Sequence, residues 1–394
     1  MAMTKYISDY VRNQSRGVLK DLTVPQQKAV TEVIRGLLIC GKPILRHLAQ
    51  APSKGSKRQG DKYGYHLSRV RLEKKVEQMA IKRARSQVKR DTIIAYDLTD
   101  IAKEHAEKME GMSGVFDGSR RRPSQGYVLH GVGVNHALLS LRVHDAHRKT
   151  LNQTRRELVE TISTTFGQKG IWVFDRGNDH KDFFVFLRQE PDRQFIARLK
   201  GNRLVVVSKT GVQSRVDELI PGQHVVYLMN KHNTKVNTQL KYTITISRHL
   251  ENKQPIRLLS STKKAFSAEQ IVQMYLERWG IENTFKRAKQ QFQLEKIRVL
   301  DYRRLTNLIA LMHFVLNLCA QLFEQLKQTT FSMLSPVLLF YKRFMKQRAL
   351  YFNLDSFIGF LKSCIKPYSF HNPQSPPQQL QLFLSNHLKK LVPF

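Results

Sequence analysis

Apolar positions along this chain follow two different periods. In VPQQKAVTEVIRGLLI (24–39) they recur at helical spacing up to Gly41 and Pro43, and the polar SKGSKRQGDKYG (53–64) that follows predicts a loop. The first 88 residues therefore read as helical and basic. Near residue 91 the texture changes. DTIIAYD (91–97) is a short buried run ending in Asp97, and GYVLHGVGVNHALLSLRV (126–143) predicts two further strands joined through Asn135 and His136. RRELVETISTTF (155–166) is helical, IWVFD (171–175) is a second buried strand ending in Asp175, DHKDFFVFLRQ (179–189) is helical and QFIARLK (194–200) is again a strand. Three meandering strands followed by helix, strand, helix and strand make an α/β order.

Between residues 201 and 266 the runs RLVVVSKT, HVVYLMN, TQLKYTITIS and IRLLSST predict an inserted β-rich unit. SAEQIVQMYLERWGIENTFKRAKQQF (267–292) then reads as one helix, with Ser267 as its N-cap and Glu269 near its first turn. Further helices are expected to about residue 365. LIALMHFVLNLCAQLF (308–323) is apolar but broken by His313, Asn317 and Gln321, so it predicts a buried helix and not a membrane span. SFHNPQSPPQQ (369–379) is loop-like, and no internal repeat is present.

Charge identifies the kind of partner. Lys and Arg number 66 against 31 Asp and Glu, a net +35 that exceeds what solubility requires and points to a polyanion. The basic clusters KRARSQVKR (82–90) and SRRRP (119–123) stand in a chain that is 41% hydrophobic, which excludes a disordered basic tail. A membrane surface is the weaker partner, because no basic amphipathic stripe carries a matching aromatic face. The three scattered cysteines, Cys40, Cys319 and Cys364, form neither a disulfide framework nor a CxxC pair, and the start lacks the apolar core of a signal peptide, which together suit a reducing, cytoplasmic setting.

The candidate chemistry lies in carboxylates. Within YLERWGIENTFKRAK (275–289), the positions Tyr275, Arg278, Glu282, Lys286 and Lys289 share about a quarter of a helix circumference. Taken alone, Arg278, Glu282 and Lys286 make a solvated salt-bridge ladder. Asp97 and Asp175 alone could be turn formers or helix caps, with Asp100, Asp179 and Asp182 as near rivals. Each of the two, however, directly follows its strand. If those strands lie parallel and adjacent, both carboxylates emerge at one sheet edge, where ligands of α/β sheets commonly bind, and their repulsion calls for a cation. Oxygen-only ligation favours Mg2+ or Mn2+, and Glu282 as a third acid would complete a site for phosphoryl transfer. HDAH (144–147) suggests a metal pair but reads as a surface turn, and Trp279 and Phe285 read as anchors of the helix to the core.

Tyr275, Arg278, Glu282 and Lys289 match the signature Y-x2-R-x3-E-x6-K, IIAYDLTDIAK (93–103) and WVFDRGNDH (172–180) match the two aspartate strands, and FIARLKGNR (195–203) matches the stretch before the insertion. Over roughly residues 90–325 the chain thus resembles the DDE transposases of the insertion sequence four family, in the RNase H-like superfamily. The resemblance implies an RNase H-like catalytic core (mixed sheet flanked by helices) over 89–200 and 267–325, interrupted by a β-strand insertion at 201–266 before the glutamate helix. Residues 1–88 become a helical DNA-binding domain, and 326–394 a helical C-terminal region available for dimerisation. It implies Asp97, Asp175 and Glu282 as the metal-binding catalytic triad with Mg2+ (Mn2+ substituting), and Tyr275, Arg278, Lys286, Lys289 and Arg198 as DNA contacts. It implies cut-and-paste transposition by a homodimer on double-stranded terminal inverted repeats, with end cleavage, a hairpin step and strand transfer into target DNA. Some relatives carry in the insertion a tryptophan that stacks on a flipped base; here PIRLLSST (255–262) has none, and the two tryptophans are Trp172 and Trp279. Two alternatives stand beside this: a non-catalytic DNA-binding derivative, and a structure-selective nuclease on the same fold.

Overall fold

A computed structural model of the chain describes residues 2–50, 57–117, 120–135, 137–229, 238–251, 254–328, 341–343, 345–346 and 353–365. Two compact units divide it: one drawn from residues 1–76, 105–110 and from 286 onward, the other from residues 77–104 and 111–285.

The first unit is helical. Helix α1 (Ala2–Leu19) is followed by α2 (Val24–Cys40), where Thr23 and Gln26 form a capping box and Gly41, at φ +61°, ends the helix in the left-handed conformation. Its buried face carries Val30, Val33, Ile34, Leu37 and Leu38. The expected loop at 53–64 is corrected: Lys57–Leu67 is helix α4, which packs on α3 (Leu45–Gln50), while 53–56 lie outside the described residues. Gly60 and Gly64, which lie in that polar stretch, permit the packing. A Cβ at Gly60 would stand 3.2 Å from the Arg46 Cα, and one at Gly64 3.3 Å from the Leu45 side chain. The long helix α10 (Tyr302–Gln328) supplies Asn307, whose amide donates to the Leu67 and Val70 carbonyls and accepts from the Leu72 N–H, satisfying the chain just past α4. Helix α10 is long and apolar enough to cross a membrane, but most of the described side chains of its apolar stretch, His313 and Asn317 included, are buried by protein. Helix α11 (Leu354–Ile365) packs on it, and the expected loop at 369–379 lies outside the described residues.

The second unit is a mixed α/β structure on an 11-stranded sheet. Strand β1 (Ile93–Ala102) pairs in parallel with β5 (Ile171–Phe174), and β5 in parallel with β6 (Gln194–Arg198). Helix α6 (Leu151–Thr165), capped by Thr150, precedes β5, and α7 (Lys181–Arg188) links β5 to β6. Strand β3 (Arg122–Val134) runs antiparallel to β1 on its other side, pairs with β4 (Ala137–Val143) after a left-handed Asn135, and also pairs with β2 (Ser113–Asp117). Sequence periodicity missed β2, whose five residues include Gly114 and no apolar alternation long enough to register. Beyond β6, the strands β11 (Gln254–Ser261), β10 (Lys241–Glu251), β9 (Gly222–Leu228), β7 (Leu204–Val207) and β8 (Gln213–Arg215) continue the same sheet, so the insertion extends the core sheet edge by antiparallel pairing.

Alternation along the central strands sorts the core into two faces. Ile94, Tyr96, Trp172, Phe174, Phe195 and Ala197 pack with Leu158, Val159 and Ile162 of α6 and with Phe183, Phe184 and Leu187 of α7. Ile93, Ile171, Val173 and Ile196 pack on the opposite face with Ile271, Val272 and Tyr275 of α8 (Ala268–Leu276). The single helix expected over 267–292 is corrected to two, α8 and α9 (Trp279–Gln291). At the junction the N–H groups of Arg278, Gly280 and Ile281 bond to carbonyls three residues back, tightening the turn, and Gly280 passes so close to the Asn135 carbonyl that a Cβ there would stand 3.1 Å from it.

Candidate active site

Period-two alternation places Asp97 and Asp175 on the α8 face. Tyr96 of β1 is in register with Phe174 of β5, the last pair of that parallel ladder, and the next residue along each chain is an aspartate. Both follow the parity of Ile93, Ile171 and Val173, which meet α8. Asp175 directly follows β5 as expected. Asp97 does not end its strand: β1 continues to Ala102 because Leu98–Ala102 keep an antiparallel ladder with Gly126–His130 of β3, and only the parallel pairing with β5 stops at Tyr96. Arg198, the last residue of β6, has the same parity as Ile196 and bonds to the Tyr275 hydroxyl.

Tyr275, next to last in α8, is almost fully buried, its hydroxyl 3.5 Å from Asp175 Oδ1. Arg278, 5% exposed in the turn between α8 and α9, spans two acids. One guanidinium nitrogen donates to Asp97 Oδ2 at 2.7 Å, and the other lies 2.6 Å from Glu282 Oε1. The second Asp97 oxygen accepts the Leu98 N–H at 2.8 Å. Glu282 is half exposed, on the first turn of α9. Phe285, one turn further, is buried over Gly131, the β3 partner of Asp97, where a Cβ would stand 2.3 Å from the ring. Phe285 thus anchors α9 as expected, but Trp279 does not: it is 48% exposed, because the tightened turn aims it away from the sheet.

Electrostatics tie these acids together. Burial pushes the Asp97 carboxyl up to about 6; Arg278 and the Leu98 N–H pull it down, while the charges of Asp175 and Glu282 push it further up. Burial also raises the Tyr275 hydroxyl. Burial alone would lower Arg278, but Tyr275, Asp97, Glu282 and Asp175 outweigh it, so the guanidinium holds its proton more tightly than usual. Asp97 therefore feels both of the other carboxylates. Among the described residues, however, no three acidic, histidine or cysteine side chains already form a metal-ligating group, because Arg278 stands between Asp97 and Glu282. The donor set itself suits a hard divalent cation: it is all oxygen, and its mutual repulsion rises as Asp97 ionises.

The remaining candidates separate from this cluster. Lys286 and Lys289 lie on the part of α9 that belongs to the other unit; Lys286 is exposed and Lys289 pairs with Glu295 at 3.1 Å. His144 of HDAH is not on the surface but 5% exposed, bonded through its ring to His130 and Thr154, because the chain leaving β4 turns back over the start of α6. Periodicity gave no sign of Asn178 and Gly131, while Asp179 stood only as a rival to Asp175. A signal for Asn178 existed in the polar run RGNDH after a buried strand, and for Gly131 in the glycine-bearing strand GVGV.

The family model described as the transposase DDE domain matches residues 89–318, a span that holds Asp97, Asp175 and the whole of α8 and α9. The comparison with curated proteins gives no match.

Proposed function

The chain belongs to the transposase DDE domain family, and from that premise we propose that it is a metal-dependent DNA transposase of the insertion sequence four kind, with an RNase H-like core, moving its element by cut and paste. The observation that carries this reading is the placement of Asp97 and Asp175 one residue past the last parallel pair of β1 and β5, Tyr96 with Phe174, facing the helices that bring Glu282 to Asp97 through Arg278.

Asp97, Asp175 and Glu282 would hold Mg2+, or Mn2+ in its place, which when bound supplies activation of an attacking oxygen and neutralisation of charge at the leaving oxygen. The side chains set the conditions for this. Arg278 pairs with both Asp97 and Glu282. A DNA phosphate drawing off the guanidinium leaves those carboxylates available to the cation, so substrate and metal favour each other. Tyr275 and Arg198 lie beside Asp175 and orient the same strand end, while Lys286 and Lys289 contact DNA phosphates. The helical domain of residues 1–88 selects the inverted repeats, the net charge of +35 supplies general affinity for DNA, and residues 326–394 serve a dimer that holds two ends. Hydrolysis, a hairpin at the element end and strand transfer follow as successive phosphoryl transfers at this one site, in the cytoplasm.

The test uses DNA from the gene's own locus with several hundred flanking base pairs. Cleavage at paired inverted repeats in Mg2+ supports transposition. Cutting without joining or repeats supports a structure-selective nuclease, and binding without cleavage supports a non-catalytic derivative, in which the Arg278 clamp is permanent.

A further inference from the structure

Arg155 of α6 is a buried cation whose described partners include no carboxylate. It is 4% exposed, stacks its guanidinium 3.7 Å from the Phe183 ring centroid, and donates to two amide oxygens, Asn152 Oδ1 at 2.6 Å and Asn178 Oδ1. Taking a guanidinium out of water for two neutral acceptors is costly, and an apolar side chain would serve packing alone at least as well. The second of those amides explains its retention. Asn178 is itself buried, and both its backbone N–H (2.9 Å) and its side-chain Nδ2 (3.2 Å) donate to the carbonyl oxygen of Asp175. The tight turn Arg176–Asn178 is thereby closed directly onto Asp175, and its far side is fixed too: buried Asp179 accepts the Lys200 N–H at 2.9 Å and pairs with Arg203 at 2.5 Å.

We infer that Arg155 and Asn178 are positioning residues for Asp175: through one chain of contacts, guanidinium to amide to main-chain carbonyl, they set the direction in which the Asp175 carboxylate leaves the sheet. This rests on the reading of Asp175 as a metal ligand. Neither residue touches the ion or the DNA. Their effect is on the affinity of the site, as with partners that orient ligands from behind.

The experiment titrates the full-length chain with Mn2+ alone, reading free Mn2+ by electron paramagnetic resonance, for wild type, Asp175→Asn, Asn178→Ala, Arg155→Lys and the double variant, with thermal melting alongside. Asp175→Asn is expected to lose binding. Asn178→Ala and Arg155→Lys, which keeps charge and most of the volume, are each expected to weaken Mn2+ about tenfold, and the double variant no more than the worse single, because both act through one contact. Wild-type affinity in Asn178→Ala with loss in Asp175→Asn overturns the positioning role alone, whatever happens to the melting temperature. Additive losses in the double variant also overturn it, since they mark two separate structural defects. Equal Mn2+ binding by wild type and Asp175→Asn overturns the metal reading and this inference together.

Discussion

Arg278 and Asp97 are 181 residues apart in the chain, yet a guanidinium nitrogen of one lies 2.7 Å from a carboxylate oxygen of the other. The same arginine holds Glu282, so a single buried cation joins the first acid of the site to the third. Removing it should expose a competition. In wild type, adding DNA is expected to tighten Mn2+ binding by roughly 5- to 100-fold, a usual range for coupled sites. In Arg278→Gln the DNA-free affinity should rise and the effect of DNA shrink, with cleavage reduced because a phosphate contact is lost. An unchanged DNA effect in the variant would show that the arginine is not the competing group.

The Asp97 carboxyl, pushed up to about 6, gives the site a pH dependence whose sign can be worked out. A cation needs it ionised, so Mn2+ affinity should be level above pH 7 and fall about tenfold per pH unit well below 6. Stability of the metal-free chain runs the other way. Folded Asp97 binds its proton more tightly than the ordinary value of 3.8, so its contribution is fully present in acid and lost as pH rises to about 6. Urea unfolding from pH 4 to 6 should therefore show wild type losing stability relative to Asp97→Asn; parallel curves would place the carboxyl in the ordinary range.

Gly131 should be intolerant of a methyl group. Gly131→Ala puts a Cβ where the Phe285 ring now sits, opposite Asp97 in the sheet. We expect a loss of about 1–3 kcal/mol in chemical denaturation and, because α9 must shift Glu282, a fall in cleavage of roughly tenfold or more. Full activity at reduced stability would separate Phe285 packing from placement of the glutamate.

Much of this was legible in the sequence, for physical reasons that vary by element. The buried strands IIAY and IWVF were readable because apolar runs bounded by polar residues have few alternatives, and Asp175 stood out by following one directly. The break between α8 and α9 was not readable. No proline marks it, and it depends on Gly280 passing the Asn135 carbonyl and on Arg278 being held by Asp97, both long-range facts. Trp279 was misread for the same reason, since an unbroken helix would have turned it elsewhere. Helix α4 was hidden by Gly60 and Gly64, which weaken helix propensity but let two backbones meet.

Two lysines on α9, exposed Lys286 and half-buried Lys289, offer a measure of the DNA contact. Lys286→Ala is expected to lower the slope of log affinity against log salt by about one unit while leaving Mn2+ binding alone. Lys289→Ala should do the same and also remove its ion pair with Glu295. A slope equal to wild type would assign these lysines to the protein surface only.

The most direct test of the central claim, that Asp97, Asp175 and Glu282 form one metal-dependent cleavage site, compares wild type with Asp97→Asn, Asp175→Asn and Glu282→Gln on DNA from the gene's own locus, measuring binding and cleavage in Mg2+. Three variants that still bind the DNA but do not cut it are the result the account predicts. Substantial cleavage by any one of them would contradict it and remove that residue from the site.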